Sequence, residues 1–149
     1  MTRIKKDAWI VFLLAISLAC GSEKAEEREY TIKDIDDLKT RQYAINGKVL
    51  YERLCANCHQ EDGSGLGKLI PPLAGSDYMN EDIGRTIRII NHGMEGEIMV
   101  NGVLYNQPMP PNPQLTPMDI SEITTYIYNV WGNKQGLITP DMVREHLEK

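Results

Sequence analysis

Cys55-Ala56-Asn57-Cys58-His59 is the stretch whose reading decides the fold. Two thiols three residues apart, with an imidazole directly after the second, admit three chemistries. A bare C-x-x-C is half of a zinc site, or a redox dithiol. Zinc needs two further ligands, and the rest of the 149-residue chain offers only Cys20, His92 and His146, none paired at ligand spacing. A redox dithiol of the thioredoxin kind sits in a βαβ pattern, and no such pattern surrounds residues 55–59.

The third chemistry is covalent haem attachment, the reading that C-x-x-C-H carries directly. On a short helical stretch each sulfur reaches one vinyl edge of a haem. The following His59 is then carried beneath the iron as proximal ligand. Working outward, Gly47, Tyr51 and Cys55 stand at four-residue intervals, Pro71-Pro72-Leu73 begins twelve residues after His59, and Met109-Pro110-Pro111 precedes Leu115-Thr116-Pro117. Over residues 43–136 this combination resembles a class I bacterial c-type cytochrome. The resemblance implies an all-α cytochrome c fold. Three to four main helices surround one covalently bound haem, with a small hairpin before the Met loop. It also implies that the Pro71 carbonyl accepts a hydrogen bond from the His59 ring, fixing its tautomer, and that Leu73 packs on the haem face.

The sixth ligand has to be chosen among several side chains. Met79, Met94, Met99, Met109 and Met118 all follow His59. Met109 lies fifty residues after it among Pro108, Pro110 and Pro111, and that rigid loop can hold a thioether toward iron. Met118 falls in the first turn of the next helix. Met94 and Met99 come before the loop, and His92 falls at a helix end. We therefore expect His59 and Met109 as axial ligands, with His92, another Met or an open site as alternatives.

Periodicity and capping signals predict the elements. A first helix is expected over 43–56, with Gly47 and Tyr51 on the face that crosses the last helix. Gly63, Gly65 and Gly67 make a loop rather than a phosphate cradle, since no strand precedes them. A middle helix is expected over 80–91, capped by Asn80, stopped by Gly93 and burying Ile83, Ile87 and Ile90. Arg85 or Arg88 is a candidate partner for a haem propionate. Val100-Asn101-Gly102-Val103 signals a hairpin over 98–105. The last domain helix is expected over 117–131, with Thr116 as cap, Pro117 at its first position and Ile120, Ile123, Ile127 and Val130 inward.

The N-terminal region reads as export machinery. Arg3, Lys5 and Lys6 precede an apolar run over 8–19, long enough for a signal peptide and short for a membrane span. The run ends at Leu18-Ala19-Cys20, which resembles a bacterial lipoprotein signal with Cys20 as the lipidated residue; an ordinary cleaved signal with an incidental Cys, or an uncleaved anchor, is the alternative. The expected organisation is a signal peptide over 1–19, a lipid-anchored acidic tether over 20–42, the cytochrome domain over 43–136, and a C-terminal extension over 137–149 with a short helix starting near Thr139-Pro140-Asp141.

Composition narrows the function. Sixteen Lys plus Arg against twenty-one Asp plus Glu give a net charge of −5, which argues against nucleic-acid binding. Membrane attachment would come from lipid. A closed six-coordinate iron leaves no place for a substrate, so no catalytic residues are expected. The expected role is single-electron transfer outside the cytoplasmic membrane, with a dehydrogenase, terminal oxidase or reductase as partner. A dedicated subunit of such a complex and a haem-based gas or redox sensor are the alternatives.

Overall fold

A computed structural model of the chain describes residues 30–149; the signal-peptide expectation and Cys20 lie outside them. The described residues form helices α1 (Leu38–Leu54), α2 (Ala56–His59), α3 (Asp77–Glu81) and α4 (Ile83–His92), strands β1 (Ile98–Val100) and β2 (Val103–Tyr105), and helices α5 (Pro117–Ile127) and α6 (Pro140–Leu147). No helix among these residues is long and apolar enough to cross a membrane.

The frame is the crossing of α1 and α5. Thr40, Ala44, Gly47 and Tyr51 recur at helical spacing and form the buried face of α1. Gly47 marks the closest approach: a Cβ placed there would lie 1.9 Å from the Glu122 carbonyl oxygen and 2.9 Å from the Tyr126 Cβ. Below the crossing, the rings of Tyr51, Tyr126 and Trp131 meet with centroids 5.3 to 5.5 Å apart. They tilt edge to face, as ring quadrupoles prefer.

The first helix starts at Leu38, five residues before the expected 43, and part of the expected tether is folded. Asp37 caps α1 by accepting from the Thr40 N–H and hydroxyl, each at 2.7 Å. Ile35 is buried, and Arg41 Nε donates to its carbonyl at 2.8 Å. These side chains bind residues 30–42 to the domain, so a boundary at residue 42 falls inside α1.

The middle helix is two helices. Asp82 takes an extended backbone, and its carboxylate accepts the Arg85 N–H at 2.9 Å. It therefore caps α4 and separates it from α3, which Ser76 caps and in which Asn80 is an interior residue. The Ile87 and Ile90 stripe is buried as expected, and Gly93 stops the helix. The hairpin has the predicted turn, with Asn101 and Gly102 both at positive φ and the register Ile98↔Tyr105, Met99↔Leu104, Val100↔Val103. Val100 and Tyr105 face inward while Met99 and Leu104 face solvent.

Helix α5 begins as predicted, with Thr116 and Asp119 forming a reciprocal capping box. It ends at Ile127 rather than 131. There the Asn129 N–H bonds the nearer Tyr126 carbonyl, and its side-chain amide donates to the Thr125 and Gly136 carbonyls, both at 2.8 Å. The chain then turns back: Gly136 N–H donates to Asn129 Oδ1 and Ile138 N–H to Thr125 Oγ1. Ile138 and Val143 are fully buried, so the segment carrying α6 completes the core rather than merely lying on it.

Candidate functional site

Between the α1–α5 crossing, α4 and the hairpin lies an apolar cleft. Cys55, His59, Pro71, Leu73, Met94 and Met109 are among the side chains on its wall.

Cys55 follows the last residue of α1, and its carbonyl accepts the N–H groups of both Cys58 and His59, at 3.1 and 3.0 Å. That one tight turn places the dithiol and the imidazole together. Cys55 is partly buried on the cleft wall, whereas Cys58 is exposed; neither is in a disulfide. Burial, reinforced by the neighbouring Cys58, pushes the Cys55 thiol up to about 11. The turn is fixed on its far side by Tyr51, whose hydroxyl donates to the Gln60 carbonyl at 2.7 Å.

His59 is buried, and its Nδ1 lies 3.1 Å from the Pro71 carbonyl oxygen, the contact expected from the sequence. Burial lowers its proton affinity, and the Pro71 carbonyl opposes that only in part. The ring is therefore neutral with its proton on Nδ1, which leaves Nε2 with a lone pair. Among the described residues no group of three or more His, Cys, Asp or Glu gathers into a metal-binding cluster. The donors present suit an iron held by a large apolar ring: one neutral imidazole, thioethers on an apolar wall, and two thiols on an adjoining turn.

Met109 lies on this wall, in a loop tied to α4. Its N–H and carbonyl pair reciprocally with those of Met94, each bond 2.9 Å. Asn112 N–H donates to the Asn91 carbonyl at 3.0 Å and its side-chain amide to the Ile90 carbonyl at 3.2 Å. Gly93 lets the two segments touch: it sits at φ +75°, and a Cβ there would fall 2.5 Å from the Met109 carbonyl oxygen. Met99 and Met118 are about half exposed and away from the cleft, and His92 is exposed. The sequence reading set Met94 aside as preceding the loop; the bridge brings it onto the same wall as Met109.

Arg85 stacks on the Tyr78 ring, its guanidinium carbon 3.7 Å from the centroid, and donates to the Tyr78 carbonyl and to Glu81. Arg88 lies 3.8 Å from Asp82. Both guanidinium groups thus have partners within the protein. Tyr78, which no sequence signal singled out, is on the cleft wall.

The sequence model of the family described as Cytochrome c matches residues 44–131, more than half of the chain. The chain belongs to the cytochrome c family. It is 34% identical over 92 residues to cytochrome c-552 of Thermus thermophilus, a match covering 59% of this chain and 70% of that one. The same-named protein of a second strain of that organism is matched at the same identity over 62% of its length. A 29% match over 106 residues joins 64% of the chain to 21% of the cytochrome c subunit of the quinone alcohol dehydrogenase of Gluconacetobacter polyoxogenes. A similar match covers 21% of the fructose dehydrogenase cytochrome subunit of Gluconobacter japonicus. The chain thus spans about a fifth of these dehydrogenase subunits. It is a class I, mono-haem cytochrome c, its cofactor is covalently bound haem c, and its function is electron transfer.

Proposed function

We propose that Cys55 and Cys58 bind the haem covalently, that His59 and Met109 are its axial ligands, and that the protein carries single electrons without a catalytic reaction of its own. The observation that carries this is the buried His59, its Nδ1 against the Pro71 carbonyl, beside an apolar cleft that Met109 also lines. Haem c supplies an iron that changes by one charge; a sulfur and a nitrogen ligand together favour a higher potential than two nitrogens. The chain does the rest. Pro71 holds the imidazole proton on Nδ1 and so makes Nε2 the donor. Leu73, Ile90 and Ile123 keep water from the wall, and the Pro-flanked loop, laced to α4 through Asn112, fixes Met109.

The matured protein is exported, anchored through a lipidated Cys20, and hands electrons between a dehydrogenase and a terminal oxidase or reductase. In this organisation residues 1–19 are the signal peptide and the acidic stretch after Cys20 is the link to the domain. The likeness to dehydrogenase subunits favours a second reading, in which the chain is the dedicated cytochrome of such an enzyme. Stable co-purification with a large partner separates that from free shuttling.

The test of the site is the visible spectrum of the oxidised holoprotein beside Met109→Ala. Methionine sulfur on ferric iron gives a weak far-red charge-transfer band. The band is expected in the wild type; its absence there refutes the thioether assignment and favours a sensor with an open site.

A further inference from the structure

Met94 and Met109 face each other across an isolated antiparallel bridge, bonded in both directions at 2.9 Å. Residues directly opposed in such a pair project their side chains to the same side. Both side chains accordingly line the haem cleft. Two thioethers thus leave neighbouring backbone positions toward one wall. Only one of them is engaged: the Tyr78 hydroxyl donates to the Met94 sulfur at 3.9 Å, a long contact to a weak acceptor. Tyr78 is itself pinned, its ring beneath the Arg85 guanidinium, which Glu81 holds at 3.0 Å. Met79 also reaches the wall, but from within α3, with its side chain in the core and its carbonyl accepting from the Tyr128 hydroxyl.

We infer that Met94 is a second axial thioether, parked on Tyr78 and able to take the sixth position when Met109 leaves it. The inference rests on the reading of Met109 as the resident ligand. The exchange breaks one sulfur–metal bond and makes another. Each thioether is a neutral two-electron donor, so charge and electron count do not change. The bridge already sets the two residues side by side, so the exchange asks the Met94 side chain to turn from the Tyr78 hydroxyl. Tyr78 is then a positioning residue that keeps the two sulfurs from competing.

The test uses the holoprotein and reads the far-red band of the ferric state, with far-ultraviolet circular dichroism as the check on folding. Met94→Leu is expected to keep the band, Met109→Ala to keep it shifted, and the double variant to lose it. In the Met109→Ala background, Tyr78→Phe is expected to strengthen the band, since the hydroxyl no longer holds Met94 back. Loss of the band in folded Met109→Ala, with Met94→Leu unaffected, overturns the inference and leaves Met109 as sole ligand. Loss in Met94→Leu alone makes Met94 the resident ligand and overturns both readings, as does a wild type without the band. Persistence in the double variant assigns the role to Met79 and also overturns the inference. If Met109→Ala does not fold, Met109→Leu, which preserves volume, takes its place with the same outcomes.

Discussion

Replacing Gly47 by alanine sets two effects of opposite sign against each other. Helix propensity alone favours the change, since alanine in a helix interior is better than glycine by about 1 kcal/mol. The structure says otherwise. The new Cβ would lie 1.9 Å from the Glu122 carbonyl oxygen, on a backbone that cannot rotate away as a side-chain tip can. Ordinary contact begins roughly 1.5 Å further out, so α1 and α5 must separate by about that distance. The separation loosens Tyr51, Ile123 and Tyr126, which are all buried beside the crossing. Overpacking a well-filled core costs typically about 1–3 kcal/mol and more when backbone must move. Because backbone must move here, about 3–4 kcal/mol is the fitting gross cost, and with the propensity gain of about 1 kcal/mol deducted a net loss of about 2–3 kcal/mol is expected. For a domain near one hundred residues that lowers Tm by roughly 10–20 °C. Differential scanning calorimetry of the holoprotein measures it. A Tm unchanged or raised refutes the close approach and leaves propensity as the whole effect.

Asn129→Ala strands the Gly136 N–H and carbonyl in a partly buried setting and should cost about 2–3 kcal/mol, read as a lower guanidinium midpoint at unchanged slope; a loss under about 1 kcal/mol would refute the anchoring role. Truncation after residue 136 removes the fully buried Ile138 and Val143 and should cost about 3–6 kcal/mol by the same assay. Asp82→Ala removes the α4 cap and should cost about 1 kcal/mol at neutral pH. The Arg85 backbone N–H, with Arg85 and Arg88 nearby, holds the Asp82 carboxyl below its ordinary value of 3.8. The wild type's advantage is therefore complete above that value and lost as pH falls through the lowered one. Midpoints of the two proteins should converge in strong acid, and a gap that persists there argues against the carboxylate cap.

What was legible in the sequence was local. The turn from Cys55 to His59, the Asn101-Gly102 hairpin and the Thr116-Pro117 start each declare themselves within a few residues, and each stands where it was expected. The misplaced boundaries turn on which of several neighbouring side chains takes a cap, a competition that the sequence does not rank. Leu38 begins a helix because Asp37 accepts the Thr40 N–H and because Ile35 and Thr40 find burial. Asp82 outcompetes Asn80 as cap because its carboxylate meets the Arg85 N–H while Ser76 has already claimed the preceding turn. Residues 128–131 carry the apolar signal of a helix, yet Asn129 spends its amide on Thr125 and Gly136 instead. The site divides the same way. The contact of His59 with Pro71 follows from the family resemblance, but Met94 reaches the cleft only through a bridge to Met109, beyond the whole hairpin. Its one sequence clue is its place directly after the Gly93 helix stop.

The lacing around Met109 bears on how fast an electron can move. When a centre gains or loses one charge, the atoms around it relax, and the less they must travel the lower the barrier to exchange. Here both proposed ligands are already tied down: the His59 ring by the Pro71 carbonyl, and the Met109 backbone by Met94 on one side and, through Asn112, by Ile90 and Asn91 on the other. Dipoles fixed in advance in this way do not have to reorient at the moment of transfer. The knotted loop is thus a device for small reorganisation, and cutting one of its threads, as in Asn112→Ala, should slow self-exchange even where the far-red band and the fold survive.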